Sequence, residues 1–498
     1  MKIVTLLIDS LRYDFMGFNG NTWIKTPNLD RLAAQSVVFD GAYVGSYPCM
    51  PARRDLWTGK LEFPFRGWGP LEYDDLDLAT VITAGHGIPS MLISDHYHLW
   101  EKGSGNYHFN FSGYDFIRGQ EYDKWKIAPG GEPNRYPGKQ AGHLPAGDFE
   151  LNRRNGAFRQ TETDYFPAQV MMRAADWIEK NRAREEFVLL VDCFDPHEPF
   201  DPPPHYIDLY DPGYEEPEII WPTYGWNRLN EAETRHVRAL YAGEISMTDR
   251  WVGYLLDKLE QLRLLDDTMI VVTTDHGHMF GEHGLMGKPW AAISDSNMYQ
   301  EVSHIPLLIY HPQLRQPGTR IADLVQLVDL YPTILAALEI APPTGIHGHS
   351  LLPYVLDAAV SYHPRTVACY GRFGEALSIT DGEWTLFVWP PGDANGPLHW
   401  YSQLPPQFGP YQVAGPRQPG QPYDRWPVSC ARGEMRTQLF NIREDPAQLH
   451  DQAHTRPQVV GRLMQSAADF LGAVGAPIDQ FERLGLPGPK VNASAAAY

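Results

Sequence analysis

Four strand-length apolar runs, each ending abruptly in acids and histidines, constrain this chain more than any other feature of its sequence. Residues 3–8 end at Asp9; 90–93 end at Asp95, His96 and His98; 187–191 end at Asp192, Asp195 and His197; 269–273 end at Asp275, His276 and His278. Between the runs lie segments of helical period, clearest at Val252, Leu255, Leu256, Leu259 and Leu262. Strands apolar on both faces and alternating with helices predict an α/β fold, a large, mostly parallel central sheet with helices on both faces. In such a sheet ligands bind at the carboxyl ends of the strands, which is where all four polar clusters fall.

A chain of 498 residues exceeds one ordinary core and predicts two unequal domains. Near residue 360 the pattern changes: helix-rich 324–356 gives way to strand-like 376–380 and 384–389 around the Asp381-Gly382 turn. The expected division is a catalytic α/β domain over 1–360 and a smaller C-terminal α+β domain over 361–498, with a small antiparallel sheet. A closing helix is expected to include 459–471, and 492–498 to fray. Residues 102–165, 196–226 and 389–428 read as long loops that shape a pocket or an oligomer contact, so a homo-oligomer is one expectation.

Charge narrows the partners. Lys and Arg number 41 against 61 Asp and Glu, a net charge of −20 with no basic run, which excludes nucleic-acid or anionic-membrane binding by bulk charge. A small anionic substrate would need a local basic pocket. The apolar start runs straight into Asp9, Arg12 and Asp14 without a cleavage site, and no segment approaches the ~20 apolar residues of a membrane span. A cytoplasmic protein without membrane attachment is expected. Cys49, Cys193, Cys369 and Cys430 are few and widely spaced, with no CxxC, so neither a disulfide scaffold nor a structural zinc site is indicated.

Residues 46–60 read Ser-Tyr-Pro-Cys-Met-Pro-Ala-Arg-Arg-Asp-Leu-Trp-Thr-Gly-Lys. The core Cys49-x-Pro51-x-Arg53, followed by Leu56-x-Thr58-Gly59, resembles the signature of the sulfatase family of the alkaline phosphatase superfamily. Supporting matches are spread along the chain: Asp9 with Arg12 and Asp14, Thr26-Pro27-Asn28-Leu29-Asp30, Asp195-Pro196-His197-Glu198-Pro199-Phe200, Thr274-Asp275-His276-Gly277 and Gly281–Lys288. The resemblance implies that Cys49 is oxidised after synthesis to formylglycine, which makes a formylglycine-generating enzyme a maturation partner. Its hydrated aldehyde would supply a hydroxyl nucleophile next to a divalent cation, and the second hydroxyl would let the covalent ester collapse.

The same resemblance assigns the remaining roles. Asp9, Asp275, His276 and the modified Cys49 are the implied metal ligands. Ser10 and His276 depart from the all-oxygen set common in the family; this looks more like the phosphonate monoester hydrolase branch and tilts the ion from calcium or magnesium toward manganese. Arg53 would contact the nucleophile and metal ligands, Lys288 the transferring group, and His197 the substrate or leaving group. In Asp95-His96-Tyr97-His98, His98 matches a family histidine and His96 replaces a lysine, which would make part of the anion-binding charge depend on pH.

The expected activity is metal-dependent hydrolysis of a small anionic ester, a sulfate monoester with release of inorganic sulfate. Phosphonate monoester or phosphodiester hydrolysis at the same site is the alternative. Two other classes compete: a two-metal phosphomonoesterase with a hydroxyl nucleophile, which Cys49 disfavours, and a non-catalytic binding module. Retention of Cys49, Arg53, Asp9, Asp275 and Lys288 together argues against the latter.

Overall fold

A computed structural model describes residues 1–126, 146–288, 294, 296–357, 362, 364–392, 395–407, 409–420, 423–431 and 433–490. Its central sheet has eight strands: β1 (Lys2–Ile8), β2 (Val37–Tyr43), β3 (Ser90–Ser94), β4 (Gly113–Phe116), β5 (Phe187–Cys193), β6 (Thr268–Thr273), β7 (Leu307–Tyr310) and β8 (Arg320–Gln326). Their order is β8-β2-β7-β6-β1-β5-β3-β4. The four runs identified in the sequence are thus neighbours, β6-β1-β5-β3, all parallel. β7 alone runs antiparallel, to both β6 and β2, which makes the sheet mixed.

Alternation explains why these strands are apolar throughout. In β1, Val4, Leu6 and Ile8 enter one core and Ile3 and Leu7 the other; in β5, Leu189 and Val191 oppose Val188 and Leu190. The helices Phe166–Asn181 and Glu231–Gln261 cover the first face. The helices Cys49–Thr58 and Leu330–Ala337 cover the second. Register sets the strand ends level: Leu7 of β1 pairs with Asp192 and with Thr273, and Ser94 also pairs with Asp192. Asp9, Asp192 and Asp275 therefore emerge side by side.

The C-terminal hairpin forms as expected. Leu377–Thr380 and Trp384–Val388 pair across the Asp381-Gly382 turn within an antiparallel sheet completed by Ala368–Gly371 and Gln438–Asn441. The helix Pro457–Ala473 packs Leu463, Ala467 and Leu471 against it. The strand Ala368–Gly371 also reaches the main body: Tyr47 N donates to Gly371 O at 3.0 Å and Gly371 N to Gly45 O at 3.0 Å. The expected domain boundary near 360 and the expected frayed end at 492–498 lie outside the described residues.

All three expected loops carry regular structure; 196–226 holds the short helix Pro204–Ile207 and the strand Gly225–Trp226. Within 102–165, β4 forms the sheet edge and a helix spans Ala146–Gly156; within 389–428 there are three short strands. β4 is partly exposed along its length, so it lacks the apolar run that announces a central strand. Within 324–356, residues 324–326 complete β8 before the helices begin. All four cysteines are buried and unpaired. Among the described residues no helix is long and apolar enough to cross a membrane.

Candidate active site

Cys49 opens the helix Cys49–Thr58, whose ten residues are all buried. Gly59, with φ of 68°, closes it through a hydrogen bond from its N–H to Asp55 O at 2.9 Å. Asp55 ties the preceding loop back onto the helix, accepting from Ser46 N (2.6 Å), Ser46 Oγ (2.8 Å) and Glu62 N (3.0 Å). The segment before Cys49 is thereby held between the helix and the C-terminal sheet.

Asp9, Cys49, Asp275 and His276 converge, each offering one ligand atom within 4.8 Å of the others, all four buried. Asp275 Oδ1 accepts from Ser10 N (3.0 Å) and His276 N (2.8 Å), which fixes the carboxylate plane. His276 Nδ1 donates to Gly277 O at 2.8 Å, because a carbonyl only accepts; in the neutral ring Nε2 is then the lone-pair atom, 3.2 Å from Cys49 Sγ. Asp9 Oδ2 accepts no hydrogen bond among the described residues.

Arg53, one turn after Cys49, lies beneath this group. Its Nε and Nη2 grip Asp192 at 2.9 and 2.6 Å, Nη1 reaches Asp275 at 2.8 Å, and Nη2 stands 3.0 Å from Asp9. One guanidinium facing three carboxylates leaves two buried negative charges, the amount a divalent cation neutralises. Burial works against ionisation of Asp9, yet Arg53, His197 and Lys288 hold its pKa below the usual carboxylate range. At Asp192 burial outweighs Arg53 and pushes the pKa up to about 6. The donor set therefore fits one divalent ion, with oxygen and imidazole ligands from two strand ends and a helix start.

The other expected residues line the same centre. Lys288 follows the short strand Leu285–Gly287, which pairs with Met279–Phe280 and Gly225–Trp226. Gly287 has φ of 80°, and a Cβ there would lie 2.2 Å from the Tyr224 ring, so this approach needs glycine. Lys288 Nζ is 3.4 Å from Glu198 Oε1 and makes no hydrogen bond among the described residues. His197 donates Nδ1–H to Glu198 O at 2.7 Å; burial, outweighing Glu198, lowers its pKa to about 3, so the ring is neutral with Nε2 unprotonated.

His98 differs. Its Nδ1 meets Glu101 at 2.8 Å and its Nε2 Glu121 at 3.3 Å; the carboxylates overcome burial and raise the pKa to about 9. His96 is fully buried with Nε2 3.2 Å from Asp9 Oδ2, and burial together with Arg53 drives its pKa well down. The expectation of a pH-dependent charge at position 96 fails for that reason: this imidazole stays neutral across the neutral range.

Three carboxylates of this centre escaped the sequence reading. Asp192 ends an apolar run, so its position was visible but not its bond to Arg53. Glu198 sits inside a recognised motif, hidden beside His197. Glu121 lies at φ of 42° in a stretch without periodicity, and no sequence signal marks it. Glu121, His197 and Glu198 also have ligand atoms within 4.8 Å of one another, but Lys288 and His98 already face these carboxylates.

Comparison with known proteins places this geometry. The Sulfatase family model matches residues 2–340. The chain is 25% identical over 396 residues to an arylsulfatase of Clostridium perfringens, covering 70% of this chain and 77% of that one. It is 25% identical over 404 residues to human iduronate 2-sulfatase, covering 69% and 70%. Its fold resembles the phosphonate monoester hydrolase of Agrobacterium radiobacter with a TM-score of 0.66 at 18% identity, over 95% of each chain.

Proposed function

The chain belongs to the sulfatase family, and from that premise we propose that it is a metal-dependent hydrolase of sulfate monoesters whose nucleophile derives from Cys49. The observation that carries this is the convergence of Asp9, Cys49, Asp275 and His276 within 4.8 Å over a buried arginine. Similarity to arylsulfatase and iduronate 2-sulfatase supports the reaction class.

Asp9, Asp275, His276 and residue 49 would hold one divalent cation, which supplies Lewis-acid polarisation of the ester oxygens and eases deprotonation of the nucleophile. Its imidazole ligand favours manganese over calcium. Converted to formylglycine by a maturation enzyme, residue 49 supplies a hydroxyl for attack and a second hydroxyl for product release.

The chain's own residues do the rest. Arg53 orients Asp9 and Asp275 and keeps Asp9 ionised. Lys288, with its ammonium hydrogens unused, binds the equatorial oxygens where negative charge grows. His98 carries a proton at neutral pH, held by Glu101 and Glu121, and adds positive charge beside the substrate; neutral His197 offers Nε2 as a hydrogen-bond acceptor to substrate. His96 borders the substrate side of Asp9.

A second reading, hydrolysis of phosphonate monoesters or phosphodiesters at the same site, is favoured by the imidazole of His276 in place of an all-oxygen ligand set. Three measurements on one preparation test these proposals: the mass of the peptide containing Cys49, the bound metal, and turnover of matched aryl sulfate, phosphonate monoester and phosphodiester. The expected result is an aldehyde at 49, one divalent ion per chain, and fastest turnover of the sulfate. An unmodified thiol in fully active protein, or faster turnover of a phosphorus ester, overturns the leading reading.

A further inference from the structure

The lysine expected to hold the transferring group is itself faced by a carboxylate. Glu198 is fully buried; its Oε1 lies 3.4 Å from Lys288 Nζ and its Oε2 accepts from His278 Nε2 at 3.1 Å. Burial alone would raise the pKa of Glu198, but His197, Lys288 and His278 hold it well below the carboxylate range, so it is ionised. Glu121, also buried, stands 3.3 Å from His98 Nε2 and 3.6 Å from His197 Nδ1. On this side of the site each cation faces carboxylates, Lys288 that of Glu198 and His98 those of Glu101 and Glu121. At neutral pH His197 carries no charge of its own.

Esters of sulfate and of phosphate present the same tetrahedral group to a lysine and a cation but differ in charge. A sulfate monoester carries one negative charge, whereas a phosphate monoester carries two above its second pKa of about 6. A pocket whose cations are already matched by buried carboxylates repels the second charge, and a low-dielectric interior magnifies that difference. We propose that Glu198 is a specificity-determining residue that limits this site to singly charged esters by neutralising Lys288. The inference rests on the hydrolase reading of the same site. A histidine or apolar side chain at 198 would leave Lys288 free to hold a dianion.

The test uses the matured protein with 4-nitrophenyl sulfate and 4-nitrophenyl phosphate, which share a leaving group and differ in charge. Glu198→Gln keeps the shape and removes the charge. It is expected to raise the phosphate-to-sulfate ratio of kcat/KM by about tenfold or more, chiefly through a lower KM for the phosphate, while Glu198→Asp leaves the ratio within about threefold of wild type. Wild type supplies a second reading should the Gln variant fail to fold. Its KM for the phosphate ester should fall as pH drops through about 6 and the ester becomes a monoanion, with its KM for the sulfate ester flat over the same range. Equal loss of both activities in Glu198→Gln, or a phosphate KM that tracks the sulfate KM in wild type, overturns the inference while leaving the hydrolase reading intact. A matured, metal-loaded wild type that turns over neither ester overturns both.

Discussion

Arg53 holds Asp192 through two parallel hydrogen bonds, Nε to Oδ2 at 2.9 Å and Nη2 to Oδ1 at 2.6 Å, with both side chains wholly removed from solvent. Because the same guanidinium also reaches Asp275 and Asp9, one residue of the nucleophile helix fastens three strand ends. The helix bearing Cys49 and the sheet bearing the carboxylates thus become one rigid unit.

Removing that cation should be costly. Arg53→Gln leaves Asp9, Asp192 and Asp275 buried together without a guanidinium, and the loss of unfolding free energy is expected at about 3–5 kcal/mol. Urea denaturation of metal-stripped protein measures it. A divalent ion added back should recover part of the loss, since it discharges the same carboxylates.

His98 gives a stability dependence of definite sign. Its pKa rises from 6.5 to about 9 on folding, so the folded state binds the extra proton between those values. The stabilisation is complete below pH 6.5 and is lost as pH climbs through about 9, amounting to ~3 kcal/mol. Denaturation midpoints across this window should decline in wild type, and His98→Gln should flatten that decline. A wild-type profile flat from pH 6.5 to about 9 would show that Glu101 and Glu121 do not hold the proton on His98.

Gly277 follows two of the candidate metal ligands, and a Cβ at this position would lie 1.9 Å from Glu301 O. Backbone cannot yield as a side-chain tip can, so Gly277→Ala must displace the turn carrying Asp275 and His276. A destabilisation of about 1–3 kcal/mol is expected, together with weaker metal binding by titration calorimetry. Unchanged affinity would mean that the turn relaxes toward residue 301 and away from the ligands.

Much of this centre was legible because its chemistry sits where the local pattern changes. Asp9 and Asp275 come within two residues of strand ends, and Cys49 and Arg53 occupy one turn of a helix announced by its own motif. The carboxylates that tune the site were harder to read. Glu198 looks like a neighbour of a motif histidine, and Glu121 lies in an unpatterned loop where a glutamate is ordinarily solvated. His96 shows the limit from the other side: the sequence marks it as titratable, and only its burial against Asp9 and near Arg53 removes the charge.

From the linear chain alone came the layered α/β architecture, the metal-ligand candidates and the reaction class they imply, since periodicity and contiguous motifs are local properties. Tertiary structure decided the antiparallel strand β7, the grip of Arg53 on Asp192, and the protonation of His96, His98 and His197. Those depend on which charges face each other across hundreds of residues and on how much water folding leaves between them, and neither distance nor dielectric is written in residue order.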